Sequence, residues 1–366
     1  MTRTSSAASI VLVSARDMKW RFLRFLLAAV ATGLVFGVAL MMSGVSNGFS
    51  VEITNTLNAL GTPTWIVPVG SPGPFTDPTA FPASDVNAIR RVPGITAADP
   101  MLVGRALTAG AVNSGGAAGT ESDVNVLGIV PGGVGAPEVV AGHRVRGQDS
   151  AVLDQSIGAR VGQRVALNGV LFTVVGLVDG VTYFAGDPVV FVTIQAAERL
   201  NTGGSPLATA ILARGVPHGP IPGFTLLDNA QVRTDLARPT AQAAQTIQLI
   251  EVLLWLVAAG IIGAIVYLSA LERRRDFAVL KAVGTPSSYL FAGLMLQAIT
   301  LAFGAAAIGV VAEIPMSHGA AMAVRLSAFD YLAVPIVAVI VGVVASVLPA
   351  RRAARVDPAI AFGSGK

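Results

Sequence analysis

The sequence predicts a membrane α-helical protein with four transmembrane helices plus a large extracytoplasmic α+β domain between helices 1 and 2. Three observations carry this. The 366-residue chain is 53% hydrophobic and only 13% charged, with a mean hydropathy of +0.68, too apolar for a soluble enzyme of this size. Uncharged runs long enough to cross a ~30 Å hydrocarbon core occur once near the start and three times in the last third. Residues 1–24, 272–288 and 351–366 together hold 13 basic against 4 acidic side chains, whereas the long stretch between the first two runs holds 11 basic against 14 acidic. The positive-inside bias then puts both termini and the 272–288 segment in the cytoplasm, and the long stretch outside a cytoplasmic (inner) membrane.

In chain order, the basic residues 1–24 (Arg3, Arg16, Lys19, Arg21, Arg24) lead into the uncharged run Phe25–Met42. No small-residue cleavage site follows it, so it is a signal anchor, and the first span is 25–45. Gly33 and Gly37 form a GxxxG pair suited to close helix approach. Phe49, Ile53, Leu57 and Leu60 recur at near-helical spacing, so the helix continues as an amphipathic stalk over 46–61. Residues 62–238 change to short apolar alternations punctuated by Gly, Pro, Asn and Asp, the pattern of a water-exposed α+β domain. Strands are expected at Thr64–Val69 and Asp123–Val130, and a short helix capped by Ser84 carries Val86 and Ile89. Asn168-Gly169 turns a hairpin between Arg164–Leu167 and Val170–Val178, and helices are expected over Asp154–Val161 and Thr193–Leu200. Pro239-Thr240 opens a helix of roughly 50 Å, which supplies a second stalk (239–251) and the second span (252–271). The third span is 289–312, the fourth 331–350, and 351–366 is a basic cytoplasmic tail.

The charged segment between spans two and three is Leu271–Gly284, LERRRDFAVLKAVG. Arg273, Arg274 and Arg275, between Glu272 and Asp276, make it basic; Phe277, Leu280 and Val283, at i, i+3 spacing, give it an apolar face. Gly284, then Thr285-Pro286, stops the helix. These residues alone fit either a partner-docking helix or a cytosolic loop that obeys the charge bias.

Chemistry-bearing motifs are scarce. The chain has no cysteine, and its three histidines (His143, His218, His318) are far apart, so no metal site is expected. A Walker A loop needs GK[ST], and none of the lysines, Lys19, Lys281 and Lys366, stands in one. Gly44-Val45-Ser46-Asn47-Gly48 matches GxSxG formally but follows a membrane helix, where a nucleophile elbow needs a strand-turn-helix context. No catalytic residue, cofactor site or nucleic-acid partner is expected. The chain reads as a non-enzyme.

The layout of one helix, a large external domain and three further helices resembles the permease subunits of MacB/FtsX-type ABC transporters, a group that includes lipoprotein-release and DevC-like permeases. ERRRDFAVLKAVG, Glu272 to Gly284, is similar to the family's ER-x-x-E-hydrophobic-x-x-L-[RK]-A-x-G segment, with Asp276 in place of the glutamate. PARRAARVDPAIAF is similar to the family's C-terminal motif and contains Pro349, Ala350, Arg351, Arg352, Asp357 and Pro358. Gly142 to Gly176 is a weaker match to its external domain, and Gln297 stands where a family glutamate is expected. The resemblance implies that Glu272–Asp276, Phe277, Leu280, Lys281, Val283 and Gly284 dock on a separate, dimeric ABC ATPase, which binds the ATP and Mg. It also implies a second permease copy or paralogue, membrane lipid and an extracytoplasmic protein as partners. ATP-driven closure would pass through the stalks to the external domain, mechanotransmission, for efflux of a hydrophobic, peptide or lipid-linked substrate. The alternative is an FtsX-like signalling transducer that activates an extracytoplasmic cell-wall hydrolase.

Overall fold

Long uncharged runs become long helices. The structure, a computed structural model, describes residues 22–61, 63–109, 121–284, 286–318, 324–326 and 328–354. The described helices are α1 (Phe22–Ala59), α2 (Val86–Ile89), α3 (Ile194–Asn201), α4 (Asn229–Glu272), α5 (Arg274–Ala282), α6 (Ser287–His318) and α7 (Ala328–Ala354). Of these, α1, α4 and α6 are long and apolar enough to cross a membrane. The fourth expected span falls in α7, whose described apolar run, Ile336–Val347, is shorter. The chain divides into two compact units, Gly48–Ala243 and the remainder on either side of it.

In the helical unit, small residues set the packing. A Cβ on Gly33 would lie 2.7 Å from the Ile308 side chain, and one on Gly309 would lie 2.7 Å from Phe36 Cβ and 2.9 Å from the Gly33 oxygen. The GxxxG pair of α1 therefore meets Gly309 of α6 with backbones nearly touching, the contact that small residues permit between membrane helices. The fully buried Phe36 lies 5.2 Å from Trp255, centroid to centroid. Farther along α1, Gly44 accepts a hydrogen bond from the Arg325 backbone (3.0 Å), and Asn47 donates to the Arg325 oxygen (2.8 Å). The GxSxG match thus lies in continuous helix, as a packing surface.

The other unit is built on an 11-stranded mixed sheet. Its main order is Phe224–Leu227, Thr64–Pro68, Ala210–Gly215, Ile95–Ala109, Glu121–Ile129, Asp187–Thr193, Ser150–Asp154, Val170–Val178, Ala141–Gly142. The hairpin at Arg164–Val178 turns on Asn168 (φ 47°) and Gly169 (φ 79°), the two left-handed positions of a type I′ turn. Thr193 caps α3 by accepting from the Ala196 N–H.

Four expectations are corrected. No α-helix covers Asp154–Val161: Ser150–Asp154 is a wholly buried strand followed by a short 3-10 turn, Gln155–Ile157. Asp154 ends the strand because its carboxylate accepts from both Ser156 N (2.9 Å) and Val181 N (2.7 Å). Ser84 sits inside a 3-10 turn ahead of α2 and caps nothing through its side chain. The helix expected to open at Pro239 begins at Asn229 and contains Pro239. Last, the outer ends of α1 and α4 are parts of the sheet domain's core. Ile53, Leu57, Leu60, Val232 and Leu236 are buried in one cluster with Trp65, Phe75 and Phe191. Asn55 and Thr56 donate to the Gly180 and Thr182 oxygens, and Arg233 donates to Thr54 Oγ1. A domain cut at 62 and 238 discards Ile53, Leu57 and Leu60, each contributing on the order of 2 kcal/mol by burial. That exceeds what a marginally stable domain can spare.

Two outcomes follow. The segment 48–243 is expected to be soluble with a cooperative thermal transition, whereas 62–238 aggregates or melts far lower; equal melting temperatures would refute a core role for the helix ends. Gly309→Leu, which forces α1 and α6 apart, is expected to lower the melting temperature of the solubilised chain. Gly304→Leu, where the added Cβ meets nothing within 4 Å, is expected to leave it near that of the unaltered chain.

Candidate functional site

The charged segment becomes a separate short helix because α4 stops at Glu272 and a single non-helical residue, Arg273 (φ −101°, ψ 17°), precedes α5. Three contacts fix that break. The Arg273 guanidinium stands 5.7 Å from the Phe277 ring centroid and 3.8 Å from Asp276 Oδ2, and its carbonyl accepts from the Phe277 N–H at 3.0 Å. At the other end, Gly284 (φ +95°) donates to the Lys281 oxygen (3.0 Å), the left-handed stop its lack of a Cβ permits.

Glu272 is held from α1. Arg24 Nη1 donates to both of its carboxylate oxygens at 2.9 and 3.1 Å, and Arg24 Nη2 donates to the Ile265 oxygen at 3.2 Å. One guanidinium nitrogen is thus shared between both carboxylate oxygens of an exposed Glu272, while the bond to the Ile265 oxygen gives the half-buried Arg24 a second anchor on α4. Nothing in the sequence marks Arg24 as the partner, since it lies 248 positions away among other basic residues.

The apolar face differs from the expected one. Phe277 is buried, 5% exposed, in a cluster with Phe25, Ala270, Leu290 and Leu294, whereas Leu280 (40%) and Val283 (81%) are exposed. Successive i+3 steps rotate by about −60° each, so Phe277 and Val283 lie about 120° apart around the helix. The exposed apolar stripe is instead Val279, Leu280 and Val283, beside exposed Arg274, Arg275 and Asp276, with Lys281 half-buried. In the C-terminal motif, Pro349, Ala350, Arg351 and Arg352 belong to α7, and of their side chains only Arg351 is described, as exposed. Asp357 and Pro358, like Thr285, lie outside the described residues. Among the described residues no cluster of His, Asp or Glu could hold a metal ion.

Comparison with known proteins bears on what this arrangement serves. A family model described as the MacB-like periplasmic core domain matches residues 25–249, and one described as the FtsX-like permease C-terminal matches residues 249–358. An uncharacterized ABC transporter permease from Mycobacterium tuberculosis (strain H37Rv) is 38% identical over 349 residues, 95% of this chain and 98% of that protein. A second, from Mycobacterium bovis, is 35% identical over 348 residues, again 95% of this chain and 98% of the relative. The macrolide export ATP-binding/permease protein MacB from Azoarcus sp. is 26% identical over 419 residues, 99% of this chain but 61% of that larger protein. With both halves matched in order and a relative aligned along almost its full length, the chain belongs to the MacB/FtsX-type family of ABC transporter permeases.

Proposed function

We propose that this permease subunit receives the work of ATP hydrolysis at α5, from a separate dimeric ATPase that binds the ATP and Mg, and delivers it to its MacB-like domain. The observation that carries the reading is the apolar stripe Val279, Leu280 and Val283, exposed on a helix that follows directly on the end of α4, where Arg24 meets Glu272, and whose inner face is buried through Phe277. An apolar centre rimmed by Arg274 and Arg275 is the usual anatomy of a protein interface. Its two rigid attachments suit a lever, because a docking element that swivelled would dissipate the push. Near-complete alignment with relatives called permeases supports a separate ATPase polypeptide.

In this reading four spans, α1, α4, α6 and α7, sit in the cytoplasmic membrane with both termini and α5 inside. A second permease copy or paralogue completes the assembly, and the tail motif from Pro349 to Pro358 lies on the ATPase side. The export activities in the names of two more distant relatives, for a macrolide and for pyoverdine, support extrusion by mechanotransmission over FtsX-like signalling.

The test separates docking from folding. Leu280→Asp is expected to leave the melting temperature within a degree or two, abolish co-purification of the ATPase and remove permease-stimulated ATP hydrolysis. Unchanged binding and hydrolysis would refute the assignment. Phe277→Ala is expected to cost about 3–5 kcal/mol of stability through the cavity it leaves, whereas Val283→Ala, at an exposed position, affects ATPase binding with little loss of stability. Equal stability of the two variants would mean that Phe277 is not a core anchor.

A further inference from the structure

The sheet domain contains a cavity of about 460 Å³, independent of α5 and of any ATPase, within the size range of small-molecule sites. Its lining is mostly apolar, with Phe75, Val103 and Phe184 among the walls and Arg105, Asn125 and Tyr183 as polar members. The aromatic wall is continuous: Phe75 meets Tyr183 edge to face at 5.5 Å, and Tyr183 meets Phe184 at 4.6 Å. The Arg105 guanidinium lies 5.0 Å from the Phe184 centroid and pairs with Asp187 at 3.4 Å.

Two features set this cavity apart from a packing void. Asn125 is 1% exposed, and its Nδ2 donates to the Tyr183 and Asp187 backbone oxygens, both at 3.3 Å. Those bonds fix the amide's orientation, since a flipped amide would aim an oxygen at two carbonyls. Its Oδ1 is thereby left without a donor among the described residues, as is the hydroxyl of the equally buried Tyr183. Burial pushes the Tyr183 phenol far above its ordinary value, so it stays protonated and neutral. Second, Phe184 (φ 57°) and Ala185 (φ 70°) both hold the left-handed conformation that residues with a side chain rarely adopt, followed by Gly186 (φ 102°). Strained backbone of this kind collects at ligand clamps, and here it sets the ring that forms one wall.

We propose that this cavity binds a small aromatic molecule bearing a hydrogen-bond donor, its ring against Phe75, Tyr183 and Phe184 and its donor on Asn125 Oδ1. Asn125 Oδ1 is itself buried, so binding requires side chains of the lining to shift when the donor reaches it. Nothing in the role assigned to α5 calls for the site, so either reading stands or falls without the other.

The probe is 8-anilinonaphthalene-1-sulfonate, which has an anilino N–H on an aromatic body and a sulfonate that keeps it in water. It would be titrated against the full chain in lipid nanodiscs, with empty nanodiscs giving the lipid background. The expected result is a saturable fluorescence component of one site per chain. Val103→Phe fills the cavity from a half-exposed position; it is expected to eliminate that component while the melting temperature stays at or above the unaltered value. Asn125→Leu is expected to weaken binding about tenfold by removing the acceptor. Because Asn125→Leu also removes two internal bonds, Val103→Phe decides if that variant is unstable. No signal above empty nanodiscs, or full binding by a folded Val103→Phe chain, overturns the proposal.

Discussion

The oxygen that Pro239 frees is the point on which the second long helix depends. A proline inside a helix removes one backbone hydrogen bond and crowds the carbonyl four residues earlier, at a cost of about 3 kcal/mol. Here that carbonyl belongs to Asp235, and the Thr76 hydroxyl donates to it at 2.6 Å. The fully buried Asp235 carboxylate accepts in turn from the Phe75 N–H at 2.8 Å, and a Cβ on Gly73 would fall 2.1 Å from its Cγ. The proline-rich stretch after the first strand, without regular structure of its own, is thus shaped to restore what the proline takes away. With that repair α4 remains helical from Asn229 to Glu272, and Arg273 can then break it at a defined place.

What could be read from the sequence follows from how local each cause is. Spans announce themselves because lipid demands about twenty apolar residues in a row, and the hairpin does because Asn168-Gly169 meets a purely local need for positive φ. The strand Ile95–Ala109 is concealed by Asp99-Pro100, which reads as a breaker. In the fold, Asp99 accepts from the Val134 N–H and pairs with Arg90, while Pro100 sits opposite Ile211 in the ladder. The start of α4 was hidden in the same way, since Pro239 looks like a beginning unless Thr76 is known to stand beside it. The candidate site divides likewise. Its basic and apolar residues and its Gly284 stop are written in thirteen consecutive positions, but which apolar residue faces inward is decided by Phe25, Leu290 and Leu294.

The two units are held by different forces, which makes equal-looking substitutions unequal. In the sheet domain, burying Trp65, Phe191 and their neighbours removes apolar surface from water, and that gain tolerates a lost contact better than a lost residue. Helices in lipid gain little from exchanging one apolar neighbour for another, so close contact at Gly33, Gly37 and Gly309 has to supply the attraction. Added volume is therefore the more damaging change at that glycine contact, and deleted volume the more damaging one in the domain.

The same reasoning bears on α5. A helix of nine residues has too few internal hydrogen bonds to be stable alone, so its form must come from what grips it. Phe277 grips from below, Arg273 closes the junction over the Phe277 ring, and Arg24 ties down Glu272. None of these contacts uses Val279, Leu280 or Val283. Their exposure is consequently not needed to hold the helix in place, which leaves the contiguous stripe Val279, Leu280 and Val283 available for the docking role proposed for it.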